Sequence, residues 1–148
     1  MRTLGIDYGD KRIGLAVSDM LYITSQPLGF IVVNGDKDAI LKIKPYIEEY
    51  NVEKIVLGLP KNMNGSEGER AIKTRRFSEK LIKAFGMEVV FFDERMTTLS
   101  AERTLNSMNI KGSEKKKGKK DMLSAAIILQ AYMEINVSTA FRSEDRTD

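Results

Sequence analysis

The hydrophobic pattern of this chain changes character once, at Asn34-Gly35, and that change limits the folds open to it. Before it, three extended runs follow one another with only turns between. Residues 2–7 form an extended run built on Thr3, Leu4 and Ile6 and interrupted by the small Gly5. The segment Tyr8-Gly9-Asp10-Lys11 then supplies a tight turn, and Ile13-Gly14-Leu15-Ala16-Val17 returns, as in a β-hairpin. A third extended stretch, Leu28 to Val33, follows Pro27 and ends at the Asn-Gly turn. After it, helical and extended patterns alternate. Asp36 or Asp38 can cap a helix with apolar positions at Ile40, Leu41, Ile43, Ile47 and Tyr50, flawed by Pro45. Lys54 to Leu59 reads as a buried strand, Pro60 to Gly68 as a loop, and Ala71 to Phe85 as an amphipathic helix closed by Gly86. Val89 to Phe92 is the next strand. A helix from Thr98 to Met108, a basic loop, and a last helix from Asp121 to Ile135 follow.

The order βββ-α-β-α-β-α-α predicts an α/β domain. Strands joined through helices must pair in parallel, whereas the opening meander is antiparallel. The result is one mixed five-stranded sheet flanked by helices, spanning residues 1–137, with a polar tail at 138–148 expected to be disordered. Gly5, Gly9 and Gly14 do not form a dinucleotide-binding fingerprint, because their turn joins two strands rather than a strand and a helix.

Composition removes whole classes of chemistry. The 148 residues contain neither His nor Cys. Ser-His and Cys-His nucleophilic catalysis, disulfides and Cys- or His-ligated metals are therefore impossible. Hydrolysis near neutral pH would have to rest on carboxylates, Lys, hydroxyls or a bound hard cation. No run approaches the roughly 20 apolar residues of a membrane span, and the expected location is the cytoplasm.

Three carboxylates stand where such a cation would need them. Asp7 ends the first strand, Glu94 ends the run Glu88 to Phe92, and Asp121 opens the last helix. Carboxylates on rigid elements can converge on Mg²⁺ or Mn²⁺ and support phosphodiester hydrolysis. Each also has a plainer use: an Asx turn for Asp7, a helix-start acid paired with Arg95 for Glu94, a helix cap for Asp121. Asp93 and Glu94 are adjacent, and strand period alone does not choose which would join Asp7.

The net charge of +3 says little, but its distribution says more. Lys111, Lys115, Lys116, Lys117, Lys119 and Lys120 crowd the segment before Asp121, a natural partner for a phosphate backbone. Lys61, Asn62, Asn64 and Ser66 follow a parallel strand, where open α/β sheets bind ligands; Ser66 and Glu69 also have capping-box spacing.

The stretches GIDYGDKRIGLAVSD, VLGLPKNMNGSEGERA, FFDERMTTLSAE and KKDMLSAAIILQAY, in that order, resemble the YqgF family. That is a RuvC-like group of ribonuclease H-like fold, described as Holliday junction resolvases and pre-16S ribosomal RNA nucleases. The resemblance covers about Met1 to Ile135 and implies that Asp7, Glu94 and Asp121 are catalytic metal ligands. It thereby selects Glu94 over Asp93. It also implies that Lys11, Arg12, Arg95 and the basic loop with Lys116, Lys117, Lys119 and Lys120 lie near the nucleic acid, to which Lys61, Asn62 and Asn64 add from their own place after the parallel strand. The implied substrate is pre-ribosomal RNA or branched DNA, with the protein a monomer or, on a four-way junction, a homodimer. The first stretch also resembles the phosphate-binding hairpin of actin-like sugar kinases, which need two such domains. A non-catalytic RNA-binding module is the third reading.

Overall fold

A computed structural model of the protein describes residues 2–106 and 123–136. Three strands open the chain: β1 (Arg2–Asp7), β2 (Arg12–Ser18) and β3 (Ser25–Val32). Then come α1 (Asp36–Glu49), β4 (Val52–Leu59), α2 (Glu69–Phe85), β5 (Glu88–Asp93), a 3₁₀ turn (Glu94–Met96) and α3 (Leu99–Asn106). A last helix, α4, runs through residues 123–136. The sheet order is β3-β2-β1-β4-β5, antiparallel across β1–β2–β3 and parallel across β1–β4–β5. This is the mixed five-stranded sheet that the patterns predict.

The strand period of two sorts side chains to two faces. Leu4 and Ile6 of β1, Ile13, Leu15 and Val17 of β2, and Ile55 and Leu57 of β4 point one way. They meet Ala39, Ile43 and Ile47 of α1 and Phe77 and Leu81 of α2. Ala16, Val56 and Phe92 point the other way and meet Ala101 and Leu105 of α3 with Ala125, Ala126, Ile128 and Leu129 of α4. Burying each large aliphatic or aromatic side chain contributes about 1.5–3 kcal/mol, so packing outweighs local flaws. Hence α1 runs through Pro45 although the ring removes a backbone bond.

Two local expectations need correction. β3 starts at Ser25, three residues earlier than expected, and includes Pro27 opposite Ala16. Proline is tolerated there because β3 is an edge strand. Neither Asp36 nor Asp38 caps α1 from the N-cap position, which is Gly35. Asp36 instead accepts from the Tyr8 hydroxyl and Lys80. Asp38 reaches back to the Asn34 N–H. No helix among the described residues is long and apolar enough to cross a membrane.

Candidate active site

β1, β4 and β5 are parallel, so their carboxyl ends share one edge of the sheet. Ile6 pairs with Leu57 in β4, and Leu59 pairs with Asp93 in β5. Asp7 closes β1 on that edge, and its position is fixed by the next residue. The Tyr8 ring stacks on Phe77 at 4.4 Å between centroids, and its hydroxyl donates to Asp36 at 2.5 Å. Burial and the Asp36 carboxylate push the Tyr8 phenol well above its ordinary pKa, so it stays a donor.

The choice between Asp93 and Glu94 is made by the end of β5. The strand stops at Asp93 and the chain turns into a 3₁₀ helix. Asp93 caps that turn by accepting the Arg95 N–H at 3.0 Å and also binds the Arg95 guanidinium, with its closest contact at 2.6 Å. These bonds hold the Asp93 carboxyl below the usual carboxylate range. Glu94 swings over β4 toward Asp7. Gly58 makes room for it: a Cβ there would lie 2.9 Å from Glu94 Oε1 and 2.7 Å from Ile128 Cδ1.

Asp7 and Glu94 thus share a hydrogen bond. Burial foremost, then the Asp7 charge and that bond, raise the Glu94 pKa to about 7, while the Arg70 charge opposes the rise. The two carboxylates line a cavity of about 220 Å³ with Thr97, Glu102, Ser124, Ile127 and Ile128. Helix α4 forms one wall because β1 lets it come close: a Cβ on Gly5 would lie 2.8 Å from Leu129 Cβ and 3.1 Å from the Ala125 carbonyl oxygen.

Asp121, Lys116, Lys117, Lys119 and Lys120 lie outside the described residues. Among the described residues, no three carboxylates stand close enough to enclose a cation. The Asp7–Glu94 pair nonetheless fits one. Its donors are hard oxygens, and a proton is retained between two carboxylates where a doubly charged ion would replace it.

The predicted nucleic-acid residues divide into two kinds. Lys11 is exposed on the turn after Asp7, and the Arg12 guanidinium lies 5.4 Å from the centre of the Phe30 ring. Asn62, Asn64 and Ser66 bond one another, with Asn62 Nδ2 donating to Ser66 Oγ at 3.0 Å and Ser66 N to Asn64 Oδ1 at 3.0 Å. The capping-box expectation fails for that reason. Ser66 serves this loop, and α2 starts after Gly68 with no side-chain cap. The loop leans on Arg95, whose Nη1 would be 3.5 Å from a Cβ on Gly65. Lys61 lies near enough for its charge to act on Asp93.

Sequence reasoning gave no site role to Gly58, Arg70, Glu102 or Ser124. Glu102 had a usable signal. It lies four residues after Thr98, whose hydroxyl accepts the Ala101 N–H and starts α3. A larger cavity of about 630 Å³ lies between Tyr22, Ile23, Ser100, Thr104, Gln130 and Glu134. Its one carboxylate is already bonded to Thr98 and Gln130, so it lacks the paired acids of the smaller cleft.

A family model described as RuvX, Holliday junction resolvase, matches residues 1–135. A protein of Ruminiclostridium cellulolyticum named "Putative pre-16S rRNA nuclease" is 47% identical over 135 residues, covering 90% of this chain and 94% of its own. One of Geobacillus kaustophilus with the same name is 44% identical over 137 residues, covering 90% and 98%. The fold is similar to that of Thermus thermophilus RuvC in complex with a Holliday junction substrate, at a TM-score of 0.64 and 15% identity, over 92% of this chain and 96% of that one. The fowlpox virus resolvase bound to Holliday junction DNA gives a TM-score of 0.58 at 14% identity, over 90% and 97%.

Proposed function

The chain belongs to the RuvX family, and we propose that it is a metal-dependent nuclease that hydrolyses phosphodiester bonds in the 5′ maturation of pre-16S ribosomal RNA, in the cytoplasm. The observation that carries this reading is the pairing of Asp7 and Glu94 at the carboxyl edge of the sheet, in an open cleft beside exposed cations. A protein that only bound nucleic acid would gain nothing from concentrating negative charge there. The names of the relatives, which refer to pre-16S rRNA, support that choice of substrate.

Asp7, Glu94 and Asp121 would hold the cation, Mg²⁺ or Mn²⁺. Asp121 is three residues before Ser124, which lines the cleft. When bound, such a cation supplies Lewis acidity toward the phosphodiester and its attacking water. The protein's own part is positioning. The Tyr8–Asp36 bond fixes the strand end that carries Asp7, and the 3₁₀ turn and Gly58 place Glu94. In the metal-free protein the pair retains a proton at the Glu94 carboxyl up to about pH 7. The lysines before Asp121, with Lys11, Arg12, Lys61 and Arg95, attract the phosphate backbone.

The test is cleavage of an end-labelled pre-16S 5′ RNA and a four-way DNA junction in Mg²⁺, Mn²⁺ or EDTA, for the wild type and Asp7→Asn. Cutting of the RNA that needs a divalent ion and falls about 10³-fold in the variant is expected. Preferential cutting of the junction by a homodimer would reassign the substrate to branched DNA. Retained binding without cutting in any divalent ion would sink the nuclease reading.

A further inference from the structure

The cations around the cleft are not equivalent. Arg95 is committed to Asp93, Arg75 to Glu67, Lys80 to Asp36, and Lys73 to Asp10 and Glu69. Arg70 differs: among the described residues its guanidinium has no carboxylate within ion-pair distance and no side-chain hydrogen bond. It is nevertheless anchored. It is the second residue of α2, and the next residue, Ala71, is fully buried. Its side chain lines a small crevice with Tyr8, Gly9 and Asp10, the turn that leads directly out of Asp7. Its charge also acts on the Glu94 carboxyl. A solvent-exposed guanidinium thus lies beside the turn that leads out of Asp7, within electrostatic reach of Glu94.

Two carboxylates repel an approaching phosphodiester. A guanidinium fixed beside them offsets that repulsion and, by its planar fork, can take two phosphate oxygens at once. We propose that Arg70 binds a backbone phosphate of the nucleic acid at the Asp7–Glu94 cleft and so sets the scissile bond in place. This rests on the nuclease reading above and adds a residue to it.

Binding and cleavage of the pre-16S 5′ RNA oligonucleotide are to be measured together for Arg70→Ala and Arg70→Lys. The control is Arg76→Ala, an exposed substitution about 240° further round the same helix. Binding is followed in EDTA as a function of salt. Loss of one phosphate contact should reduce the slope of log affinity against log salt by about 0.7. That reduction is expected for Arg70→Ala and not for Arg76→Ala. Cleavage in Mg²⁺ should fall about 10²-fold in Arg70→Ala at an unchanged melting temperature. Arg70→Lys should recover the slope but only part of the rate, because an ammonium lacks the fork. An unchanged slope in Arg70→Ala, or a rate within threefold of wild type, would overturn the proposal. Failure of the wild type to cut would instead count against the nuclease reading, and the salt slope would still decide the role of Arg70.

Discussion

The two faces of the sheet are built from different stock. On the α1–α2 face, Leu4, Ile6, Ile13, Leu15, Ile55 and Leu57 are all essentially inaccessible and present large side chains to Ile43, Phe77 and Leu81. On the α3–α4 face the same strands contribute Gly5, Ala16, Val56 and Gly58, met by the small residues Ala125 and Ala126 as well as Leu129. Large residues fill the first interface. Small ones let α4 settle onto β1 and leave above Gly58 the space that the Glu94 carboxylate occupies. The first face therefore supplies cohesion and the second supplies position. Asp7 and Glu94 are held at the boundary of the second face, where volume has been removed rather than added.

Removing volume from the first face should cost stability and spare chemistry. Leu81→Ala, at a fully buried position on α2, is expected to lose about 2–5 kcal/mol in urea unfolding. Cleavage per folded molecule should be unchanged well below the unfolding midpoint. A comparable loss of specific activity would mean that the two faces are not separable in this way.

Adding volume to the second face should do the reverse. In Gly58→Ala the new methyl would crowd Glu94 Oε1 and Ile128 Cδ1, and the carboxylate is the easier of the two to displace. A loss of about 10–100-fold in cleavage is expected, with stability reduced by about 1–2 kcal/mol. Retained activity with a stability loss like that of Leu81→Ala would show that Gly58 is a packing residue only.

The difference between the faces also explains what could be read in advance. The extended runs of β1 and β4, the turn after Asp7 and the helical spacing of Phe77 and Leu81 are local signals, and they yield the mixed sheet and the order of elements along the chain. The position of Asp7 at a strand end is equally local. Gly58 carries no such signal, because the reason for it is Ile128, seventy positions further along, and a carboxylate arriving from β5. Strand period could not choose between Asp93 and Glu94 because β5 ends between them, and the Arg95 bonds to Asp93 help form the turn. Arg70 was invisible for a related reason. A run of basic residues stands out in a sequence, whereas the role of a single cation is defined only by where the acids fall.

The smallest expected effect tests whether the second face holds its carboxylates against burial and against their own repulsion. On folding, the Glu94 carboxyl rises from its ordinary 4.5 to about 7. The unfolded chain then releases this proton at lower pH than the folded one. Stability is lost as pH rises from about 4.5 to 7, and the full penalty applies above 7. Glu94→Gln has no proton to lose. In EDTA it should melt like the wild type at pH 4.5 and higher than it at pH 8. Discounted for partial exposure, the gap is about 2 kcal/mol, or about 5 °C in Tm. Adding Mg²⁺ at pH 8 should close that gap by raising the wild type alone, because a cation relieves the repulsion that Gln has already removed. A gap that is the same at both pH values would mean that Glu94→Gln acts through packing rather than charge. A gap unaffected by Mg²⁺ or Mn²⁺ would mean that the Asp7–Glu94 pair does not hold the ion.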